Sequence, residues 1–530
     1  MLRRLNQYWR SLCVGRGGTV SSPAAAAVQA TCLTPDEVQA WVAQAGEHLA
    51  LGQREDARDC YELALAHAPD CVAARLGLAR MLREEDEPAA ALEHVREALR
   101  VAPHDATVHF ESALVHNRGG DVAGALAAYQ RALELEPVYA AACTNLGLIY
   151  LSQLGEPHHA QQYFARAIAI DPACVAAHAN LGLALDELGQ TAAALAHYES
   201  LIAAYPAENE YRWHRGLVLL GNGGYARGWE DYEMRNARAA GAAPRDFPFP
   251  VWQGGEMRKG AALLIYAEQG LGDEIMFASC VPDLLERGFN CVIECDRRLA
   301  AVFARSFPAA RVHGAARDGD RSWLAMYPDV EVQIATGSLP RLLRRDAAAF
   351  PCHAGYLRAD PGRVAKWRTR LADKTRGHNV GIAWSGGTAK TRRDLRSIPL
   401  ADLTPLFETP RMTWVNLQRE AGPALAELVS AHGVAVLSFD EMLDDVDETA
   451  ALLQALDGVV TADNTVAHLA GALGRPAWVI LPHHADWRWL HDTTASHWYP
   501  SVTLCRQPQR GDWAGAIGKV ITGLRRAAWA

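Results

Sequence analysis

The chain has 530 residues, too many for one hydrophobic core, so an organisation into about three domains is expected. Half of its residues are hydrophobic, 21% are charged and the mean hydropathy is -0.09, the composition of an ordinary soluble protein. A formal charge of -9 and a pI near 6.1 exclude a general nucleic-acid binder and leave any basic chemistry to local clusters.

The opening "MLRRLNQYWRSLCVGRGG" is basic but has no apolar core of signal-peptide length, and no later run reaches membrane-spanning length. Residues 1–30 read as a disordered tail. The 11 cysteines include no CxxC pair. Cys291 and Cys295 lie four apart in an apparent strand, so they share one side as buried thiols. A reducing cytoplasm is therefore the expected compartment.

Residues 31–235 carry an internal period. Prolines stand at 69, 103, 137, 172 and 206, spaced 34, 34, 35 and 34. Alanines keep the same beat at 57, 91, 125, 160 and 194, and again at 64, 98, 132 and 167. Between the two alanines comes a larger residue: Tyr61, Val95, Tyr129, Phe164 and Tyr198. Alanine lets paired helices approach, the larger residue fills the gap, and proline ends the second helix. The pattern resembles the tetratricopeptide repeat, a helix-turn-helix unit. The extra residue of the fourth unit is expected in the turn "SQLGEPHH". A degenerate sixth unit, "WHRGLVLLGNGGYARGWEDYEMR", keeps Gly216 and Tyr232 and then stops. Such an array offers a concave groove to an extended peptide, the alternative being a rigid spacer or dimerisation arm.

The segment "NARAAGAAPRDFPFPVWQGG" has neither repeat nor period, and residues 236–250 read as a linker. Apolar runs then alternate with helical patterns: "ALLIYA", "CVIEC", "VEVQIA", "VGIAW", "MTWVNLQ", "GVAVLSF", "GVVTA" and "AWVILP". Continuous apolar strands separated by helices imply parallel sheets covered on both faces. A polar stretch at 371–379 divides them into residues 251–375 and 376–530, each suited to one Rossmann-like unit, with a cleft at the carboxyl ends of the strands. The fold class expected is thus an α-solenoid followed by α/β.

Three strand exits carry chemistry. Strand 263–267 runs into Glu268-Gln269-Gly270-Leu271-Gly272-Asp273. Gly270 and Gly272 permit a tight turn and close approach of a ligand. Asp273 either projects into the cleft or caps the following helix. After strand 380–384 come Ser385, Gly386, Gly387 and Thr388, then Lys390, Arg392, Arg393 and Arg396. Exposed backbone N–H groups and cations there suit phosphate oxygens, although a solvated basic loop has the same composition. In "GVVTADNTVAHLAGALGRP", Asp463 ends a strand and Asn464 and Thr465 sit at a helix start, where free N–H groups and the dipole attract an anion. His468 returns to the same face one turn on. Capping accounts for Asn464 or Thr465 but not for Asp463 and His468 as well, which favours a diphosphate-and-sugar site. In "LPHHADWRWLHDTTASHWYP", Asp486 and Arg488 can orient a ligand, Trp487 and Trp489 read as packing, and His483 and His484 lack a third metal ligand at suitable spacing.

Together these residues resemble the heptosyltransferase family of glycosyltransferases, in particular the group with tetratricopeptide repeats at the amino end. The likeness extends from the repeats to about Gln507. It implies the GT-B fold, two Rossmann-like domains with the donor mostly on the second, an architecture also like that of eukaryotic O-GlcNAc transferase. Asp273 occupies the place of the family's candidate base, and His468 is grouped with it as catalytic. Asp463-Asn464-Thr465-Val466-Ala467-His468 matches the family's Asp-Thr-Gly-x-x-His segment, with threonine where the glycine should be. The family's lysine corresponds to Lys390, among arginines that include Arg396. Gln418 and Glu420 in "VNLQRE" become candidates for the nucleoside. The donor-binding set is completed by Gly270, Gly272, Ser385 and Gly386.

The resemblance implies a metal-independent, inverting transferase that needs no cofactor beyond its donor substrate, a nucleotide-diphospho-sugar. Its acceptor is expected to be a protein or peptide recruited by the repeats. A repeat scaffold with a non-catalytic module, or transfer to a glycolipid core, are the competing readings. Residues from about 245 to 530 are expected to keep donor binding without the repeats. The sixth repeat is expected to pack on the first Rossmann-like unit, so that cut would expose apolar surface.

Overall fold

The computed structural model describes residues 34–527, apart from 238–244, 246, 317–318, 373, 375–376, 388–391, 420, 422–424, 427–428, 431–435 and 440–441. The amino-terminal tail, Lys390 and Glu420 therefore lie outside the described residues. Thr34 opens the first helix, Pro35–Ala50, with a capping box in which its hydroxyl accepts from the Glu37 amide and its own amide donates to the Glu37 carboxylate. Antiparallel helix pairs follow, and the chain falls into two compact units that divide after Ala142.

The first unit holds the pairs Pro35–Ala50/Arg54–His67, Val72–Glu84/Pro88–Val101 and Ala106–Arg118/Val122–Leu135. The second holds Pro157–Ile170 and the pairs Val175–Glu187/Thr191–Ala204 and Asn209–Gly221/Tyr225–Tyr232. Every periodic alanine is fully buried, and so are Val95, Tyr129, Phe164 and Tyr198 between them. Glycine makes room for the aromatics: a Cβ on Gly147 or Gly182 would stand 2.7 Å from the Phe164 ring and 2.2 Å from the Tyr198 ring. The turns within the pairs need left-handed backbone, supplied by Gly52, Gly120, Gly155, Gly189 and Gly223 and once by Asp86. Loop 153–156 is one residue longer than its counterpart 119–121, which accommodates the period of 35.

Beyond the repeats, the second unit contains two all-parallel sheets. The first has β1 (Ala262–Tyr266), β2 (Asn290–Asp296), β3 (Arg311–Ala315) and β4 (Val330–Ala335) in the order β3-β2-β1-β4. The second has β5 (His378–Ala383), β6 (Met412–Asn416), β7 (Val436–Leu437), β8 (Gly458–Ala462), β9 (Ala477–Leu481) and β10 (Val502–Arg506) in the order β10-β9-β8-β5-β6-β7. β1, β8 and β9 are buried throughout, as strands covered on both faces must be. Cys291 and Cys295 of β2 are both buried in the same apolar cluster.

Sequence patterning overlooks β3 and β10, both edge strands. Their partly exposed faces mix Arg311, His313, Thr503 and Arg506 among apolar residues, so no apolar run marks them. The expected linker is also partly built into the sheet. Phe247 is buried against Ala262, Leu264 and Tyr266, Gln333 of β4 donates to the Phe249 carbonyl at 2.8 Å, and Arg245 pairs with the fully buried Glu294. The helix Pro361–Ala372 precedes the polar stretch used to divide the halves. It nonetheless packs with Val446–Ala455, an element of the second half, through Arg363, which binds Asp445 and Glu448.

The last helix pair shares a core with the sheets. Leu220, Tyr225, Trp229 and Tyr232 belong to one apolar cluster with Ile275, Phe277, Trp487 and Trp498. Trp229 meets Trp487 edge-on with ring centroids 5.5 Å apart and donates its indole N–H to the Arg344 carbonyl at 2.8 Å. Among the described residues no helix is long and apolar enough to cross a membrane.

Candidate functional site

The loop after β1 is held from behind before it reaches Asp273. Arg235, just past the last repeat helix, donates to Glu268 through Nε (3.0 Å) and Nη2 (2.7 Å), and Glu268 also accepts from the Gly337 amide. Gln269 and the Tyr232 hydroxyl are hydrogen-bonded at 2.8 Å. Buried Glu274 accepts from the Asp296 amide at 2.8 Å. So braced, the segment enters the helix Leu271–Phe277, and Asp273 in its first turn faces a pocket of about 730 Å³. That volume lies in the range of small-molecule sites, roughly 300–1,000 Å³. The pocket is lined by the exits of β1, β5, β8 and β9 and by residues of the repeats.

Asp273 does not cap its helix; its carboxylate is gripped by Arg488, whose Nε and Nη2 both reach Oδ1, at 2.7 and 2.6 Å. Arg488 also donates through Nη1 to Asp486 at 2.6 Å and lies over the Trp487 ring, 4.4 Å from its centroid. Burial works to raise the Asp486 pKa, but Arg488 outweighs it and holds the carboxyl below its ordinary range. No described residue donates a hydrogen bond to Asp273 Oδ2.

The elbow after β8 resolves into separate tasks. Asn464 is the N-cap of the helix Thr465–Ala472: its Oδ1 accepts from the amides of Val466 (2.9 Å) and Ala467 (3.2 Å) and from the Thr461 hydroxyl. Its Nδ2 donates to the Ser385 carbonyl at 3.1 Å, stitching the β8 and β5 exits together. A Cβ on Gly386 would stand 2.3 Å from the Asn464 Cβ, so glycine there is what lets the two exits meet. Thr465, expected to share the N-cap, is the first helical residue and lines the pocket. Asp463 is buried and accepts from Arg396 Nη1 at 2.9 Å, which fixes Arg396 at the pocket.

His468 is buried between the two sheets' helices. Its Nδ1 lies 2.9 Å from the Tyr499 hydroxyl, and its ring stacks on Trp489 at 5.1 Å. Its other edge faces Gly272, where a Cβ would come within 2.9 Å of Cδ2. Burial depresses the imidazole pKa to about 4, with Arg488 adding to the effect and Asp463, Asp273 and Asp486 opposing it. The ring is neutral at physiological pH, a hydrogen-bonding group rather than a counter-ion.

Gly270, Gly272, Asp273, Arg396, Asp463, Asn464, Thr465 and His468 thus converge on one pocket. Ser385, Gly386 and Gln418 do not line it. Gln418 Oε1 accepts from the amides of Trp384 (3.1 Å) and Ser385 (2.9 Å), and the Ser385 hydroxyl meets that of Ser397 at 2.8 Å. Those three residues shape the β5 exit. Lys390 and Glu420 lie outside the described residues.

Sequence reasoning passed over the pocket's debt to the repeats. Asp186 and Glu187, at the end of the helix Val175–Glu187, are both buried. Glu187 binds Arg392 at 2.6 Å and Arg510 at 3.2 Å, while Arg392 also donates to the Leu151 carbonyl. Arg392, read as a phosphate cation, is therefore directed at the repeats. Burial tends to raise the Glu187 pKa, but Arg392 leads the charges that bring it below the ordinary value. Asp186 stands 3.3 Å from His484 and 3.4 Å from His491, so the fold adds to the two neighbouring histidines a carboxylate that local spacing could not offer. His483 turns away, toward the Gln507 carbonyl. The sequence carries no signal for Asp186 and Glu187: the equivalent positions of the other repeats are Arg83-Glu84, Asn117-Arg118, Leu151-Ser152 and Leu220-Gly221, charged, polar and apolar by turns.

A tetratricopeptide-repeat family model matches residues 42–106, 82–142, 110–174, 146–209 and 180–233, so the first half carries tetratricopeptide repeats, a scaffold for protein interaction. Protein FlbA of Caulobacter vibrioides is 30% identical over 548 residues, covering 98% of this chain and 84% of FlbA. Among solved structures, the chain is similar to MamA (25% identity, 29% of this chain and 90% of that one, TM-score 0.27). It is also similar to a thermophilic TPR protein of Thermus thermophilus (22% identity, 34% of this chain and 99% of that one, TM-score 0.30).

Proposed function

The chain belongs to the family of protein FlbA, and we propose that it is a glycosyltransferase of the heptosyltransferase-like, GT-B kind. In this reading it moves a sugar from a nucleotide-diphospho-sugar to a hydroxyl of a protein presented by its repeats. The observation that carries the reading is the convergence of Asp273, Arg396, Thr465 and His468 on one pocket at the carboxyl ends of parallel strands. Arg488 holds Asp273 by Oδ1 and leaves Oδ2 as the proton acceptor. The acceptor hydroxyl loses its proton to Oδ2 as its oxygen attacks the anomeric carbon, and the bond to the diphosphate breaks on the opposite face with inversion. Arg396, fixed by Asp463, and the start of the helix Thr465–Ala472 meet the departing negative charge. Because Asn464 already occupies the amides of Val466 and Ala467, the diphosphate contacts are the Thr465 amide and hydroxyl. Neutral His468 contributes a hydrogen bond to the sugar and not charge.

A second reading has its own support. Asp273, Asp463, Glu187 and Asp486 each have an arginine partner already, a balance that suits a folded scaffold without a charged ligand. Calorimetric titration with a panel of nucleoside diphosphates and nucleotide sugars separates the two. On the transferase reading one donor binds, and Asp273→Asn abolishes transfer, by a thousandfold or more, while donor affinity changes only a few-fold. Absence of binding by every member of the panel leaves the scaffold.

A further inference from the structure

Asp186, His484 and His491 come from a repeat helix and from the segment after β9, nearly 300 residues apart in sequence, and all three line the pocket. Two features of their arrangement are those of a metal site and not of a simple ion pair.

The first is distance. Both imidazoles present Nε2 to the same oxygen, Asp186 Oδ2, at 3.3 and 3.4 Å. These separations exceed an ordinary N–H···O bond of about 2.7–3.2 Å. They match the edges of a tetrahedron of donors around zinc, which stand roughly 3.3–3.6 Å apart when each donor is about 2.0–2.2 Å from the ion. The three donor atoms all lie within 4.8 Å of one another.

The second is orientation. Asp186 Oδ1 is occupied by the Thr191 hydroxyl at 2.7 Å and the Asn222 amide at 3.2 Å, so the carboxylate is anchored by one oxygen and projects the other. That is the outer support a monodentate ligand requires. The histidine rings stack with centroids 4.0 Å apart, which aligns their Nε2 atoms on one side. His491 reaches this position only because residue 221 is glycine: a Cβ there would stand 2.3 Å from Nε2.

We propose that Asp186, His484 and His491 bind one divalent transition-metal ion of the zinc class, with the fourth position open to the pocket. The site shares no residue with the donor-binding set and does not depend on the glycosyltransferase reading. Bound there, the ion would tie the repeat helix Val175–Glu187 to the segment that carries Asp486 and Arg488, the residues that hold Asp273.

The test uses the full chain, stripped with a chelator and titrated with Co²⁺, whose d–d absorption reports the ligand field, and then with Zn²⁺ in competition. One equivalent of Co²⁺ with a low-symmetry, four-coordinate spectrum that Zn²⁺ abolishes is the expected result. His491→Ala and His484→Gln should each weaken binding more than tenfold, and Zn²⁺ should raise the melting temperature of the wild type but not of either variant. Circular dichroism verifies that the variants fold. The proposal is overturned if the wild-type chain takes up no Co²⁺, a result independent of any variant's folding. Unchanged affinity in both folded variants overturns it equally.

Discussion

Gly272 and His468 illustrate how much a single atom decides here. The missing Cβ of Gly272 is the space that the His468 ring edge fills, and His468 cannot yield because it stacks on Trp489 and meets Tyr499. Gly272→Ala should therefore cost about 1–3 kcal/mol as an overpacking change, despite the better helix propensity of alanine, read as a shift in the urea midpoint. His468 also gives stability a pH dependence. Its pKa falls from an unfolded value of 6.5 to about 4 in the fold, so between those values the unfolded chain binds the extra proton. Stability is thus full above pH 6.5 and is lost as pH falls toward 4. His468→Gln should lose less stability across that window, as unfolding midpoints at pH 7 and pH 4.5 would show. Both residues could be singled out in the sequence, but their contact could not, because it joins strand exits of two sheets. Asp273 and Arg488 are likewise 215 residues apart.

At the scale of elements, legibility followed burial. The repeat helices announce themselves because alanine at a fixed period has no other reason to recur, and the central strands because two covered faces leave only apolar runs. Edge strands β3 and β10 carry no such mark, since exposed and half-buried positions interrupt the buried ones in each. The helix Tyr225–Tyr232 is a third case: its sequence reads as a failing sixth repeat, yet its aromatic face is an interior surface. Trp229 is 1% exposed and packs edge-on against Tyr232, Phe277, Trp487 and Trp498. Trp229→Ala should destabilise the second unit by about 3–5 kcal/mol, visible as a lowered melting temperature. If the helix were only a terminal cap of the array, the cost would fall well below that range.

For the whole molecule, the boundary that matters is not the one composition suggests. The change of character after Arg235 marks where the period stops, whereas the compact units divide after Ala142. A fragment of residues 245–530 would lose Trp229, Tyr232 and Leu220 from its core, along with Arg235 and Asp186 from the pocket's support. It should aggregate or melt far below the full chain by light scattering and calorimetry. A fragment beginning near Pro137 should instead remain monodisperse and retain whatever ligand the full chain binds. A soluble, ligand-competent 245–530 fragment would show that the later repeats are dispensable to the pocket.

Glu187 and Asp186 carry a consequence for how such a protein can change over generations. Among the described residues, all that line the pocket follow Ala142, so whole units before it can be duplicated, lost or exchanged as spare parts without altering that lining. The units that bear Asp186, Glu187 and Trp229 have no such licence. Each is locked to residues hundreds of positions downstream, so a swap must bring its counterparts with it. Chimeras that join foreign repeats ahead of Pro137 should keep working, whereas junctions placed inside residues 143–235 should fail unless both halves of every lock come from the same parent.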